Sequence, residues 1–278
     1  MIKKSFICFV LFFIVHASFI KIFPNVGMAT NQRQDNILKA QQAFYADKLD
    51  YAIVGTSLAN RIIRDSIPKI QSLAFVGCSV EDGLQILKNR RNPPKLVFVE
   101  INLLLRGKRK ELVDGTIEGM MPIIREFIPS LREQYEPICI LASTIIGASR
   151  MNTQAGMAVI DCNLLNSQVE SALKNDTPIE ENILKNRMDN ILVMIKELEA
   201  KGTKFIFFEM PVNYRLTHLK KYNQIREAVG VTFPKNKYDY LLSDTSKYLT
   251  TDGQHLDFEG QQRYSHFFKL ETAKYLAQ

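Results

Sequence analysis

The chain has 278 residues, of which 46% are apolar and 23% charged, and this composition excludes a disordered, collagen-like or coiled-coil protein. Thirty-six Lys and Arg against 29 Asp and Glu give a formal net charge of +7, and the charges are spread along the chain, so no nucleic-acid partner is expected. The length predicts one large domain with an appended segment, or two small domains.

The N-terminal sequence is typical of an export signal or a membrane anchor. Lys3 and Lys4 precede an apolar run at 5–20, which approaches the roughly 20 residues of a membrane span only if Lys21 snorkels and two further apolar residues are counted. Gly27-Met-Ala29 would fit a cleavage site, although it is far from the run, and a buried helix is the plainer alternative. We expect an uncleaved anchor at 1–24 with residues 30–278 outside the cytoplasm, or a secreted protein if the leader is cleaved.

Beyond this leader, helices alternate with short apolar strands. After a polar linker and a helix within 25–50, the strands are predicted at 51–54, 72–77, 95–102, 203–211 and, more weakly, 238–242. Intervening helices are predicted at 58–67, at 80–90, from a capping box at Thr177–Glu180 to a stop at Gly202, and at 259–278. Nearly all-apolar strands in this alternation indicate a parallel sheet covered on both faces.

Residues 103–176 interrupt the alternation. The segment contains Met120-Met-Pro-Ile-Ile124 and an apolar run at 138–148 between polar, helix-like stretches. We expect either a mostly helical insertion that forms a lid or partner surface, or ordinary crossover helices of the same domain.

The four cysteines do not suggest a metal or redox centre. Cys8, Cys78, Cys139 and Cys162 contain no C-x-x-C pair, which excludes zinc ribbons and thioredoxin-type chemistry. One disulfide, for example Cys139–Cys162, is compatible with the sequence but not established by it.

Three short segments place reactive side chains at the ends of predicted elements. Ser57 follows the first strand, Asn102 ends the third, and Asp252 lies three residues before His255 in a C-terminal turn. This spacing lets Asp252 hold one imidazole nitrogen while the other acts as a base. Asn102 and the Gly77 amide could donate to an oxyanion. Taken singly, Ser57 and Asn102 could be caps, and His255 part of a surface turn.

Together, the order Gly-x-Ser, Gly, Asn, Asp-x-x-His resembles the SGNH (GDSL-type) hydrolase superfamily, whose four sequence blocks contribute Ser, Gly, Asn and His in that order. The matching segments are 54–57, 75–77, 99–102 and 252–260, within a resemblance that covers about residues 50–270. The resemblance implies a flavodoxin-like three-layer α/β/α sandwich at 51–278. It also implies a Ser57–His255–Asp252 triad and an oxyanion hole made by the Ser57 and Gly77 amides and the Asn102 side chain, with no metal or organic cofactor.

Three positions depart from the superfamily pattern. Thr56 replaces the Asp of its GDS triplet, Glu100 replaces a Gly, and Leu103 replaces an Asp. Departures of this kind are familiar among membrane-anchored branches of the superfamily. Those branches resemble alginate O-acetylation proteins and the D-alanine-transfer protein DltD, and this chain is similar to them. That resemblance implies an exported serine esterase or O-acyltransferase acting on acyl esters, chiefly acetyl esters, of a cell-envelope polysaccharide, with a membrane-bound O-acyltransferase as a partner.

Two alternatives compete with this interpretation. Gly55-Thr-Ser-Leu-Ala59 approximates the G-x-S-x-G motif of α/β-hydrolases, but that fold places several strands before its nucleophile and separates the triad acid widely from the histidine. The other alternative is a catalytically silent glycan-binding or scaffolding subunit, which the three departures would explain.

Overall fold

A five-stranded parallel sheet forms the centre of the protein, whose computed structural model describes residues 2–104, 106–150, 160–244 and 247–276. The strand order is β2-β1-β3-β4-β5, with every neighbouring pair parallel. The strands are β1 (Tyr51–Gly55), β2 (Ile70–Ala74), β3 (Leu96–Glu100), β4 (Lys204–Phe208) and β5 (Asp239–Leu241). This is the flavodoxin-like order, in which β1 and β3 flank the point where the winding of the sheet reverses. The predicted α/β class is confirmed.

Helices cover both faces of the sheet. In chain order the helices are α1 (Ile2–Ile22), α2 (Gln32–Tyr45), α3 (Val80–Lys88), α4 (Lys110–Ile117), α5 (Met120–Phe127), α6 (Pro137–Arg150), α7 (Cys162–Lys174), α8 (Glu181–Glu199), α9 (Lys220–Thr232) and α10 (Phe258–Leu276). Alternate strand residues point to opposite faces. Val54 and Val99 therefore pack into the core formed with α2, α3 and α8, whereas Ile53 and Phe98 pack against α10.

Two predicted helices differ in the structure, one replaced by 3₁₀ turns and one starting later, because side chains from other parts of the fold take backbone groups that the helices would use. Residues 58–67 form 3₁₀ turns at Ala59–Arg61 and Arg64–Ser66 instead of an α-helix. Here the Ala59 N–H donates to Glu100 and the Ile63 N–H donates to Ser265 of α10. The helix expected from the Thr177–Glu180 capping box begins only at Glu181. The Gln224 side chain pairs with both the N–H and the carbonyl of Ile179, and this carbonyl is the acceptor that a helix starting at Pro178 would use.

Helices α4 to α7 occupy the described part of the 103–176 interval, of which residues 105 and 151–159 lie outside the described ranges. Leu112 of α4 and Val169 of α7 join the two cores, as crossover helices would. By contrast, α5 and α6 leave several large apolar side chains exposed. The division of the chain into an insertion and a core domain stays a prediction.

Helix α1 is long and apolar enough to cross a membrane, with a mean hydropathy of 2.2 over its most apolar window and almost all of its surface exposed. No second helix in the described part of the chain meets the same criteria. All four cysteines are free thiols, so the Cys139–Cys162 disulfide is not formed.

Candidate active site

The carboxyl edge of the sheet gathers the residues that the sequence singles out. β1 lies between β2 and β3, with Gly55 beside Ala74 and Val54 beside Val99. Ser57, Gly77 and Asn102 follow these three adjacent strands within two or three residues of their ends. In open parallel sheets this edge, at the reversal of winding, is where ligands bind.

A chain of hydrogen bonds joins Asp252, His255 and Ser57. The Asp252 Oδ2 to His255 Nδ1 distance is 2.7 Å, and the His255 Nε2 to Ser57 Oγ distance is 2.9 Å. Ser57 is buried, at 7% exposure, whereas the His255 side chain is 24% exposed, so the imidazole is more accessible to solvent than the serine. The fold therefore brings together two residues that are 198 positions apart in the chain.

Hydrogen bonds to its backbone N–H and carbonyl groups hold the C-terminal turn that presents His255. Asp252 Oδ1 accepts from the N–H groups of Gln254 and His255, at 3.0 and 2.8 Å. The Thr251 N–H donates to the His255 carbonyl, at 2.8 Å. Asp257 Oδ1 accepts from the Gly260 N–H within the first turn of α10. This single short segment therefore shapes the turn, supplies the base and starts the last helix.

The Asp252 carboxylate fixes the state of the imidazole. Partial burial alone would raise the pKa of Asp252, but hydrogen bonds from the His255 ring and from the His255 and Gln254 N–H groups lower that pKa well below its ordinary value. An ionised carboxylate has no proton to donate, so Nδ1 of His255 carries the hydrogen. In the neutral imidazole, Nε2 then accepts from the Ser57 hydroxyl, which is the arrangement that a general base requires.

The lowered pKa of Asp252 predicts a dependence of stability on pH. Because the folded pKa lies below the unfolded value, the carboxylate stabilises the protein above about pH 4, and this contribution is lost as the pH falls further. Thermal unfolding of the wild type and of Asp252→Asn should therefore differ most near neutral pH and converge under acid. A difference that stays constant from pH 7 to pH 3 would show that Asp252 is not held as an ion.

Beneath Ser57, Glu100 and Thr56 form a buried pair that the sequence does not reveal directly. Glu100 Oε2 accepts from the Thr56 N–H at 2.7 Å and the Ala59 N–H at 3.2 Å, while the Thr56 hydroxyl lies 3.0 Å from both carboxylate oxygens. Glu100 and Thr56 are fully buried. The carboxylate thus holds the backbone on both sides of Ser57.

Gly55 makes this pairing possible. A Cβ atom at Gly55 would lie 2.8 Å from Glu100 Oε2 and 2.6 Å from the Ala59 Cβ, closer than side-chain carbons approach. Burial raises the pKa of Glu100, and the donors from Thr56 and Ala59 act against that rise. The two departures from the superfamily pattern at Thr56 and Glu100 therefore contact each other. A charged residue at the end of an otherwise apolar strand was the sequence signal for this contact.

Asn102 is held by the backbone of Met210, which follows β4. Its Oδ1 accepts from the Met210 N–H at 2.7 Å, and its Nδ2 donates to the Met210 carbonyl at 2.8 Å. This pairing uses one of the two Nδ2 hydrogens and leaves the second available to a bound group. The structure thus gives Asn102 a backbone-pairing role that the sequence did not predict, and its oxyanion role stays a prediction.

Asn102→Ala separates these two roles. The change leaves the buried Met210 N–H and carbonyl without partners, which typically costs about 1–3 kcal/mol of stability. If the amide also stabilises an oxyanion, kcat falls by about 10²–10³-fold with little change in KM. Steady-state kinetics on the folded variant measure this effect. A normal kcat in a variant of lowered Tm would assign Asn102 to structure alone.

Gly77 lies beside a small cavity with basic side chains. The cavity has a volume of about 300 Å³ and is lined by residues that include Asn36, Arg33 and Arg109, but not by Ser57 or His255. Arg109 Nε donates to the Gly77 carbonyl, at 3.2 Å. Arg109 belongs to the stretch 106–110, in which four of five residues are basic, so the charges are locally more clustered than the overall composition indicates.

Cys78, next to Gly77, does not compete with Ser57 as a nucleophile. Burial raises the pKa of its thiol to about 11, so the thiolate is scarce at neutral pH. Among the described residues, no cluster of three or more His, Cys, Asp or Glu side chains is placed to hold a metal ion.

Comparison with known proteins does not assign the chain to a family. No family model matches it, and no curated protein matches it in sequence. The chain is similar to a candidate acylhydrolase from Bacteroides fragilis, known from a crystal structure, with 12% identity and a TM-score of 0.42. That similarity covers 89% of this chain and all of the other. At this level of similarity, the chemistry must be argued from the site itself.

Proposed function

We propose that this protein is an exported, membrane-anchored serine esterase or O-acyltransferase of the SGNH type. The observation that carries the proposal is the hydrogen-bonded series Asp252–His255–Ser57, with links of 2.7 and 2.9 Å. A serine hydroxyl bonded to an imidazole that is in turn oriented by a carboxylate is the arrangement for nucleophilic acyl transfer.

In the first half of the reaction, Ser57 takes the acyl group. Its Oγ attacks the ester carbonyl carbon while the hydroxyl proton passes to His255 Nε2, and the carbonyl electron pair moves onto oxygen. The amides of Ser57 and Gly77 and the Asn102 side chain are the proposed donors to this oxyanion. When the intermediate collapses, the alkoxide leaves with the proton from His255, and the acyl group remains on Ser57.

In the second half, water or a sugar hydroxyl takes the acyl group from Ser57. His255 removes the proton of the incoming hydroxyl, the new ester or acid forms, and the proton returns to Ser57 Oγ. The Asp252 carboxylate stabilises the imidazolium in both halves. Hydrolysis and transfer differ only in the acceptor, so the site supports both reactions.

Export and anchoring indicate the substrate class. Helix α1, whose first turn contains Lys3 and Lys4, places the catalytic domain outside the cytoplasm if the lysines stay inside. Acyl esters of envelope polysaccharides are then the accessible substrates, with acetyl esters first among them and a membrane-bound O-acyltransferase as a partner. Arg33 and Arg109 at the Gly77 cavity outnumber its one acidic residue, Glu111, which favours a glycan that carries negative charge.

Turnover of an acetyl ester by the purified full chain tests the proposal. The wild type should release acetate from p-nitrophenyl acetate or an acetylated oligosaccharide, and Ser57→Ala should not. Ser66→Ala, in the 3₁₀ turn that follows, is the matched control and should keep wild-type activity. Equal background rates for the wild type and Ser57→Ala on all esters, with glycan binding intact, would favour the catalytically silent subunit.

A further inference from the structure

Helices α5 and α6 expose an apolar surface that no other part of the described chain covers. On each helix the three most exposed apolar residues recur at i, i+3 and i+7, which places them on one face. The surface, named here the α5–α6 patch, consists of Met120, Ile123, Phe127, Ile138, Leu141 and Ile145. Met120 is 75% exposed and Phe127 is 80% exposed. Exposed apolar side chains grouped in this way mark an interaction surface.

The patch carries almost no charge. From Pro137 to Ser149, helix α6 contains no charged residue, and α5 contains only Arg125 and Glu126. Arg125 is turned back onto the protein, where it donates to the carbonyls of Leu131 and Gly115. An uncharged surface of this kind suits a hydrocarbon environment better than a polar partner.

The patch lies where the chain leaves the anchor helix. The Pro24 carbonyl, just beyond α1, accepts from the Tyr135 hydroxyl at 2.9 Å. The Met28 N–H donates to the Cys139 carbonyl of α6, at 3.0 Å, and the Gly27 N–H donates to the Ser143 hydroxyl. A Cβ at Gly27, whose φ is +98°, would lie 1.7 Å from the Gln134 carbonyl oxygen, so this junction is tightly seated. Helix α1 itself contacts the turn at Pro129–Leu131, between α5 and α6.

From these observations we infer that the α5–α6 patch lies in the surface of the bilayer that α1 spans, so that the domain is held against the membrane at two points. The occupant is lipid, because α6, which carries half of the patch, is hydrogen-bonded to the segment that leaves α1, and because the patch residues themselves are uncharged. The inference rests on the anchoring half of the proposed function and is independent of the acyl chemistry.

This attachment would bring the active-site edge of the sheet towards the membrane. The segment that leaves α1 enters α2 at its N-cap, Asn31. Asn36, in the second turn of α2, exchanges hydrogen bonds with the Val76 backbone at 2.9 and 3.1 Å, next to Gly77. The chain therefore arrives from the membrane at the carboxyl edge of the sheet, where Ser57 lies.

Depth-dependent fluorescence quenching of the full chain tests the inference. Cys8 and Cys162 are replaced by serine, and a single cysteine is introduced at Phe127, at Leu141, at Phe12 in α1, or at Val231. Val231 is equally exposed but lies on α9, which connects β4 to β5 at the sheet edge opposite β2. Each protein is labelled with an environment-sensitive dye and placed in phosphatidylcholine–phosphatidylglycerol vesicles that contain lipids with a quencher on the acyl chain.

We expect strong quenching at Phe127, Leu141 and Phe12, and none at Val231. Quenching at Phe12 with none at Phe127 and Leu141 would overturn the inference and leave the anchor intact. Quenching at Phe127 and Leu141 but not at Phe12 would support contact between the patch and the bilayer. It would contradict the proposal that α1 spans the bilayer. If the dye at position 127 becomes shielded from water only as the protein concentration in the vesicles rises, the surface contacts a second copy of the chain. That result would overturn the assignment to lipid.

Discussion

His255→Ala is expected to lower kcat for ester hydrolysis by about 10⁴-fold or more, since triad residues act as a unit. The variant loses the base that takes the Ser57 proton and the partner that the Asp252 carboxylate orients. The fold should survive, because the contacts that shape the turn use the backbone N–H and carbonyl of His255, which alanine retains. Steady-state kinetics and thermal unfolding of the same preparation measure both effects.

The relation between activity and stability decides how His255 is interpreted. A Tm within a few degrees of the wild type, together with lost activity, identifies a catalytic group. If activity and Tm collapse together, His255 is a structural residue and the proposed base is wrong. His218→Ala, in the loop before α9, is the matched histidine control and should leave both quantities unchanged.

Glu100→Ala is expected to have the largest combined effect on stability and activity. It leaves the Thr56 N–H, the Thr56 hydroxyl and the Ala59 N–H without their buried acceptor, at about 1–3 kcal/mol for each donor. We therefore expect a loss of unfolding free energy on the order of 3 kcal/mol or more. Movement of Ser57 by about 1 Å would also cost roughly 10²-fold in kcat.

Two milder variants test the positioning role if Glu100→Ala does not fold. Thr56→Val removes only the hydroxyl bond and should lower kcat with KM nearly unchanged, whereas Thr56→Ser should restore the wild-type rate. Glu100→Gln keeps an acceptor for both N–H groups and should retain most activity. Wild-type kcat in folded Thr56→Val would show that the pair does not position Ser57.

The raised pKa of Glu100 predicts a pH dependence of the free energy of unfolding that a side chain acting only through packing would not produce. Because the folded pKa lies above the ordinary value of about 4.5, the folded protein binds this proton more readily than the unfolded chain. Wild-type stability then falls as the pH rises above that value, and Glu100→Gln avoids this loss. Chemical unfolding should therefore show Glu100→Gln gaining stability relative to the wild type between pH 4.5 and neutral pH. A parallel pH dependence of the two proteins would contradict a buried carboxyl at this position.

The sequence was sufficient for the sheet because its signals are local. Four of the predicted strands are short, mostly apolar runs bounded by turn residues, the fifth has a weaker signal, and all five overlap the observed strands. Asp252 and His255 are three residues apart, so the spacing alone indicated a turn in which they meet. The position of Ser57 followed from topology, because a residue that directly follows a strand of a parallel sheet lies at its carboxyl edge.

What the sequence did not show depends on contacts between distant segments. Residues 58–67 have a helical apolar pattern, but the Ser265 hydroxyl takes the Ile63 N–H, which a helix would use. Gln224 takes the Ile179 carbonyl in the same way, ahead of α8. The pairing of Asn102 with Met210 spans 108 positions and has no sequence signature. Local propensity yields to such tertiary hydrogen bonds wherever they are buried.

Covalent labelling shows whether His255 activates the Ser57 hydroxyl. The folded full chain is treated with a fluorophosphonate, digested, and mapped by mass spectrometry. We predict a single adduct on the Ser57 peptide in the wild type and none in Ser57→Ala or His255→Ala. Activation of Ser57 by His255 would be contradicted if folded wild-type protein carried no adduct. It would also be contradicted by an adduct on another residue that persists in His255→Ala.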